Sequence, residues 1–295
     1  MPFIIQTSRR GDAHRRRLPN ILNPIAWRRF AIRSVRDWPA MRRIAVNWPI
    51  WITRQVLRPL LSVSCTVRTR SGLRIFLSAD HVDDLVLIHT QGAVSSLYFP
   101  PSFEPVPPGG VLLDVGAHHG VHAVEALRRN PQAQLIAIEP DPDACRLIAR
   151  QVALNGFDER VEIIQAAIGS ATGVGWLQDH GSGSWGQRVA RAETEPSGPS
   201  DTKVRVLTIL DVLRGRTPHT VKISAGGAEF ALIPQMLDAN MRPQQFVVWV
   251  YPYAGAESTL RHRFNGAGYQ VEDTGPQIKE HTVLHCRLSA QVKRA

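Results

Sequence analysis

A carboxylate, two glycines and a second carboxylate stand at intervals that suit a bound nucleoside. Asp114 lies in the apolar run Val111 to Val115, Gly116 and Gly120 follow in a short turn, and Glu139 ends a second apolar run, Leu135 to Ile138. A carboxylate at the tip of a second strand, roughly 20 residues past the first turn, can accept both hydroxyls of a ribose. Gly116 permits the sharp turn, and a side chain at Gly120 is expected to keep the ligand from the backbone.

The turn discriminates between cofactors. A dinucleotide site wants G-x-G-x-x-G with its pyrophosphate on a helix N-terminus. Here His118 stands where the middle glycine would be, so the turn reads G-x-x-x-G, a poor pyrophosphate cradle. Asp114 just before it suits a cationic ligand better than a diphosphate. S-adenosylmethionine, with its sulfonium and ammonium, is the better match. Gly116, Ala117, His118 and Gly120 would form the turn, with Glu139 and Pro140 beside the ribose.

Elements that position these residues follow from the hydrophobic periods. Val111 to Val115 and Leu135 to Glu139 are expected strands, and Val121 to Arg129 a helix. Asp141-Pro142 starts a second helix, Asp as N-cap and Pro at the first helical position, with Ala144, Leu147, Ile148 and Val152 on one face. Val161 to Gln165 is a third strand. Ala166 and Ala167 after it are candidates to line the adenine, or are a plain strand end. Thr172 to Ser200 is rich in Gly, Ser and Pro and is expected to be a mobile loop between two short strands. Thr208 caps a short helix around Asp211 to Leu213. Thr220 to Ser224 is a fourth main strand, Ala228 to Leu237 a helix, and Gln245 to Val250 a central apolar strand. Ser258 to Asn265 is a helix, and Tyr269 onward and Thr282 to Leu288 form a terminal antiparallel pair. The expected fold class is α/β: a seven-stranded Rossmann-like methyltransferase sheet with helices on both faces, plus a basic helical N-terminal extension.

The chain resembles the FkbM-type S-adenosylmethionine-dependent methyltransferases. Asp114-Val-Gly-Ala-x-x-Gly120, Ile138-Glu-Pro140, Leu154-Asn-Gly156, Ala166-Ala-Ile-Gly169, Leu207-Thr-Ile-Leu-Asp211 and Val221-Lys-Ile-x-x-x-Gly-Ala-Glu229 occur in the family's order, from about Val67 to about Leu288. The resemblance implies O-methylation of a sugar, glycolipid or secondary metabolite. It also implies catalytic roles for Lys222 and Glu229. Two departures stand out. The family's fourth strand usually ends Lys-Ile-Asp-x-Glu-Gly-x-Glu, whereas here Ser224 and Gly226 replace the inner carboxylates. Its fifth tends to end Glu-x-His-Pro, whereas this chain has Trp249-Val-Tyr251-Pro252. Either the acceptor pocket is rebuilt for a more apolar or aromatic acceptor, or the chain is a non-catalytic S-adenosylmethionine-binding or scaffold protein. A third reading is a peripheral membrane module that docks lipid-linked glycan enzymes. Histidines are candidate replacements: His118 and His119 in the turn, His122 on the helix behind, His180 in the loop and His219 before the fourth strand. His119 is the choice for a catalytic role. No metal site is expected, since no spaced carboxylate partners the histidines.

Charge divides the chain at about residue 62. Residues 1–60 carry thirteen arginines, no lysine and two acids, a net charge of +11, so the remainder is near neutral at −1. Residues 1–62 are therefore taken as a Trp/Arg-rich extension, its first 20 or so disordered, and 63–295 as the methyltransferase domain. From Trp27 to Arg58, apolar residues, among them Ile44, Trp48, Ile52 and Val56, alternate with arginines such as Arg42, Arg43 and Arg54. That composition fits an interfacial helix on anionic lipid or, equally, a helical cap docked on the domain. Prolines 39, 49 and 59 cut it short, which makes nucleic acid an unlikely partner. There is no secretory signal pattern and no membrane-spanning run. Three dispersed cysteines argue for a reducing, cytoplasmic setting, peripheral at the inner membrane face if the extension binds lipid.

Overall fold

The computed structural model describes the backbone of residues 3–5, 38–57, 63–79, 84–92, 94–179, 187–191, 201–273 and 282–290. Its centre is a seven-stranded sheet in the order β13-β14-β12-β11-β4-β5-β6. These strands are β4 (Val111–Val115), β5 (Gln134–Glu139), β6 (Val161–Gln165), β11 (Thr220–Ile223), β12 (Gln245–Val250), β13 (Tyr269–Asp273) and β14 (Thr282–Leu288). The run from β12 to β6 is parallel, and β14 pairs antiparallel with both β12 and β13. Every residue of β12 is buried, as its unbroken apolar run requires. β4 lies between β5 and β11, so the chain order reverses there. A reversal opens a crevice at the carboxyl ends of the strands.

Helices cover both faces. α4 (Val121–Arg129) and α5 (Pro142–Leu154) pack with Leu112, Leu135 and Ala137, while α6 (Ile209–Leu213), α7 (Glu229–Asp238) and α8 (Glu257–Gly266) pack with Leu113, Ile136, Val221 and Phe246. Asp141 caps α5 by accepting from the Asp143 amide at 2.8 Å. Thr208 and Asp211 form a reciprocal capping box on α6. Over β12 and β14, the first face is covered by a strap, residues 94–106, whose Leu97 and Tyr98 pack on Val247, Trp249 and Val283.

Side chains clasp the strap by its backbone. The Gln245 amide donates to Glu104 O at 2.8 Å and accepts from Glu104 N at 2.9 Å. His285 Nε2 lies 2.9 Å from Leu97 O, and Val106 N donates to Asn130 Oδ1 at 2.9 Å. The same device docks the N-terminal hairpin, β2 (Val63–Arg68) and β3 (Arg74–Leu77), on α5. Gln151 clasps both backbone groups of Phe76, and Asn155 those of Arg74. Each clasp satisfies edge-strand or loop groups that burial would otherwise leave unpaired. β1 (Phe3–Ile5) pairs with β2, and α3 (Asp84–Gln91) leads into the strap.

Residues 38–44 are helical (α1), followed by α2 (Trp48–Leu57). Met41, Ile44, Ala45 and Trp51 belong to the same core cluster as β2, α4 and α5. The expected face needs one correction. Trp51 and Arg54 are fully buried while Val56 is exposed, because a turn at 46–47 restarts the helix at Trp48 and resets its phase. Arg54 is tolerated inside because its guanidinium donates to Ser78 O. The expectations for residues 1, 2, 6–37 and 58–62 lie outside the described residues.

A second correction concerns 172–200. Within it, β8 (Gly173–Asp179) and β9 (Gln187–Arg191) join β7 (Ala167–Ile168) and β10 (Thr202–Leu207) in a four-stranded sheet ordered β7-β10-β8-β9. Its core is small, with Ala167, Leu177 and Val204 buried, so the hydrophobic signal is weak beside the glycines. His180 lies outside the described residues.

Candidate active site

The crevice is built from the turn after β4, the tip of β5 and the loop after β11. Gly116 has φ +73°, and a Cβ there would lie 2.1 Å from Ser224 O. The turn and the β11 loop therefore touch backbone to backbone, and only glycine fits both the dihedral and the space. Gly120 has φ +78°, but its Cβ would meet Ile148 of α5 at 3.0 Å. Helix packing by itself thus favours glycine at position 120. His118 sits in the left-handed region at φ 53° and so presents its amide toward Glu139.

Glu139 is buried. Its Oε2 accepts from His118 N at 2.8 Å and its Oε1 from Asp141 N at 3.1 Å. Burial pushes its carboxyl up to about 7, although both amides oppose that shift. Two amides occupy one position on each oxygen and leave about two for a diol. Pro140 continues the chain beyond it. Ala166 and Ala167, both buried, follow β6 directly, and Ala167 opens β7.

Asp114, Lys222 and His122 form a buried polar triad. Lys222 Nζ lies 2.8 Å from Asp114 Oδ1, and His122 Nδ1 2.9 Å from Asp114 Oδ2. Lys222 also donates to Gly116 O at 2.7 Å, which ties β11 to the turn. Desolvation alone would raise the Asp114 carboxyl; the Lys222 cation, then His122, outweigh it and hold Asp114 well below the carboxylate range. The carboxylate read from the sequence as bare for a cationic ligand thus has two cationic or hydrogen-bonding neighbours.

Glu229, buried at the start of α7, accepts from Gly227 N at 3.0 Å and from Tyr251 N at 2.8 Å. Burial raises its carboxyl to about 7. It bridges the loops after β11 and β12, so its bonds serve loop geometry. Ser224 Oγ faces Tyr251 OH at 3.2 Å, and Trp249 lies 5.4 Å from Tyr98, ring centre to centre. His119 is buried with its ring 3.6 Å from that of His118. His219 pairs with Thr220 near the opposite end of β11. Among the described residues no group of three His, Cys, Asp or Glu could hold a metal ion. His122 was among the candidate histidines, but its pairing with Asp114 was not legible in the sequence. Its spacing of eight from Asp114 crosses a turn, where no helical or strand period reveals contact.

A doubly wound sheet with a terminal antiparallel pair, a glycine turn after its first crevice strand and a carboxylate at the tip of the next defines a Rossmann-like methyltransferase fold. The chain belongs to the FkbM methyltransferase family: residues 114–282 match the family described as Methyltransferase FkbM domain. It is also similar over 60 residues, at 40% identity, to the ribosomal protein L11 methyltransferase of Pelotomaculum thermopropionicum, covering 20% of this chain and 19% of that protein. Methyltransferase sdnD of Sordaria araneosa is 31% identical over 68 residues, 23% of this chain and 26% of that protein. The chain thus spans about a fifth to a quarter of the length of these curated relatives. Among solved structures, the METTL16 MTase domain gives a TM-score of 0.46 at 13% identity, covering 88% of this chain and 91% of that one. The precorrin-6y C5,15-methyltransferase of Geobacter metallireducens gives 0.40 at 16% identity, covering 68% and 90%.

Proposed function

We propose that this chain is an S-adenosylmethionine-dependent O-methyltransferase acting on a hydroxyl of a small-molecule or glycan acceptor. The observation that carries the reading is Glu139, a buried carboxylate with spare acceptor positions at the tip of β5, beside a turn that only glycine can make. Those residues fit the cofactor: Glu139 would hold the ribose diol, Ala166 and Ala167 the purine face, and the 116–120 turn the methionine end. When bound, the cofactor supplies an electrophilic methyl on a sulfonium. Lys222 and Asp114 fasten β11 to β4 beneath that turn, and Glu229 fastens the loops after β11 and β12. The acceptor side is aromatic, with Tyr98, Trp249 and Tyr251 in one cluster. Calorimetry with S-adenosylmethionine and S-adenosylhomocysteine tests the cofactor. Release of the latter across an acceptor panel tests the reaction. No heat with either ligand would remove the reading, and binding without turnover on any acceptor would support the scaffold alternative.

A specific surface favours one further partner. Trp38 is 45% exposed and Val46 59%, and the exposed Arg42, Arg43 and Arg70 surround Trp38 in a shallow notch. Apolar tips among arginines fit an anionic lipid surface, on which the domain would sit peripherally. Among the described residues, no helix is long and apolar enough to cross a membrane.

A further inference from the structure

Beneath the strap lies a cavity of about 600 Å3, within the range that holds small ligands. Its floor is the sheet face carrying Leu112, Asp114, Thr220, Lys222, Gln245 and Val247, and its roof includes Tyr98, Phe99 and Phe103. Leu112 and Asp114 are two residues apart on one strand, so the floor runs about 6.6 Å from a lower row of Leu112, Thr220 and Gln245 to an upper row of Asp114, Lys222 and Val247. Polar groups at the lower end are already engaged. Gln245 Nε2 serves both Glu104 O and Thr220 Oγ1, at 2.8 Å each, and Gln245 Oε1 accepts from Glu104 N. The roof rings of Tyr98, Phe99 and Phe103, with Leu112 and Val247 below, offer a flat apolar ring aromatic and aliphatic walls.

His122 lines the upper end of this cavity and is 8% exposed. An ionised Asp114 can only accept, so the proton of the shared bond sits on His122 Nδ1. Phe99 stacks on the imidazole at 5.0 Å and 9°, and Tyr98 lies 5.7 Å away. Arg129 in turn sits 4.3 Å over Phe99. The ring is therefore fixed by one hydrogen bond and one stack. That is the arrangement of a general base and its orienting carboxylate.

We propose that this cavity receives an aryl alcohol and that His122, oriented by Asp114, takes its hydroxyl proton during methylation. The proposal rests on the methyltransferase reading above and names its acceptor class. In the step, the aryl oxygen forms a bond to the methyl carbon. The methyl–sulfur bond breaks with its electron pair left on sulfur, and the hydroxyl proton passes to His122 Nε2. The resulting imidazolium is stabilised by Asp114. An aryl hydroxyl, near 10 in pKa like that of tyrosine, is far easier for an imidazole to relieve of its proton than an aliphatic one.

The probe is 2-naphthol, measured beside methyl glucoside. Calorimetry of the wild type saturated with S-adenosylhomocysteine should show 2-naphthol binding and none by the glucoside, and with S-adenosylmethionine the product should be the methyl naphthyl ether. His122→Gln keeps a donor for Asp114 but accepts no proton. It should bind cofactor and 2-naphthol within about threefold of wild type, yet lose about 10²- to 10⁴-fold in turnover. Phe103→Ala, which opens the roof, should weaken 2-naphthol at least fivefold and leave cofactor affinity unchanged. Cofactor binding without 2-naphthol binding, or glucoside methylation in its place, overturns the acceptor class alone. Turnover by a folded His122→Gln within threefold of wild type overturns the base. Absence of cofactor binding overturns the underlying reading.

Discussion

Oε2 of Glu139 accepts the backbone N–H of His118 at 2.8 Å, which ties the tip of β5 to the turn after β4. The left-handed φ of 53° at His118 is what aims that amide. A residue of ordinary backbone preference would turn it away, at a cost of about 1 to 2 kcal/mol for the observed dihedral. The carboxylate proposed to hold the ribose is thereby positioned by the turn proposed to hold the methionine.

Cofactor affinity should depend on pH through Glu139. Burial places its folded-state carboxyl at about 7, and only the ionised form offers its full set of acceptors to a diol. Affinity for S-adenosylmethionine should fall as pH drops from 8 to 5.5, approaching tenfold per unit below 7. Glu139→Gln should bind more weakly at pH 8 and show a flat profile. Stability of the unliganded protein should run the other way. A carboxyl raised from its usual 4.5 to about 7 makes the folded state bind more protons than the unfolded chain between those values. Unfolding free energy should thus decline by up to about 3 kcal/mol from pH 4.5 to 7.5. Urea titrations of wild type and Glu139→Gln at both ends test this. Glu229, raised likewise, remains in the variant, so the readout is the difference in slope, and a wild-type decline no steeper than the variant's would refute it.

Glu229 should behave as a structural residue. Its two oxygens hold the amides of Gly227 and Tyr251, and Glu229→Ala leaves both without that partner in a buried setting. Each orphaned group costs about 1 to 3 kcal/mol, so a loss of roughly 2 to 5 kcal/mol in urea unfolding is expected. If the variant keeps wild-type stability and loses only turnover, the catalytic role that family resemblance implies for Glu229 would be reinstated.

Much of the sheet was legible because β5 and β12 carry unbroken apolar runs and α5 and α6 carry side-chain caps. The strands Val111–Val115, Val161–Gln165, Gln245–Val250 and Thr282–Leu288 stand where their patterns place them. The 172–200 segment was not, because β8 carries two glycines, Gly173 and Gly175, and among its described residues buries only the side chain of Leu177. Arg54 was not, since an arginine reads as solvated until a partner such as Ser78 O is known. At the site, Asp114, Gly116 and Glu139 were found by spacing along the chain. His122 meets Asp114 only once the helix folds back over the strand, so its role required three dimensions.

The two turn glycines should fail differently. Gly116→Ala combines φ +73° with a Cβ 2.1 Å from Ser224 O, a backbone atom that cannot yield without moving the β11 loop. It should destabilise the fold by several kcal/mol and abolish cofactor binding. Gly120→Ala meets Ile148 at 3.0 Å with φ +78° and should cost about 1 to 3 kcal/mol while retaining binding in the folded fraction. Differential scanning calorimetry with and without S-adenosylhomocysteine separates the two. Equal effects would show that the contact with Ser224 O is not what restricts position 116.

Residues around Trp38 should confer binding to anionic vesicles. The segment 1–60 holds a net +11 against −1 for the remainder, so attraction to lipid is concentrated at one end of the sequence. Arg42 and Arg43 are exposed, so replacing both with Glu leaves the Met41, Ile44 and Trp51 packing in place. Each basic residue near such a surface contributes about 1 kcal/mol, so a double charge reversal should weaken partitioning at least 100-fold at low salt. Trp38→Ala should weaken it by a smaller factor that salt does not change, because its contribution is apolar. The measurement is co-sedimentation with vesicles containing 30% phosphatidylserine, beside neutral phosphatidylcholine vesicles, at 50 and 300 mM salt. Wild type should sediment with the anionic vesicles only and be released by salt, since screening shortens the reach of the arginines. Binding to both vesicle types, or binding by the Arg42→Glu/Arg43→Glu variant equal to wild type, would assign these arginines to solvent and the exposed Trp38 to some other contact.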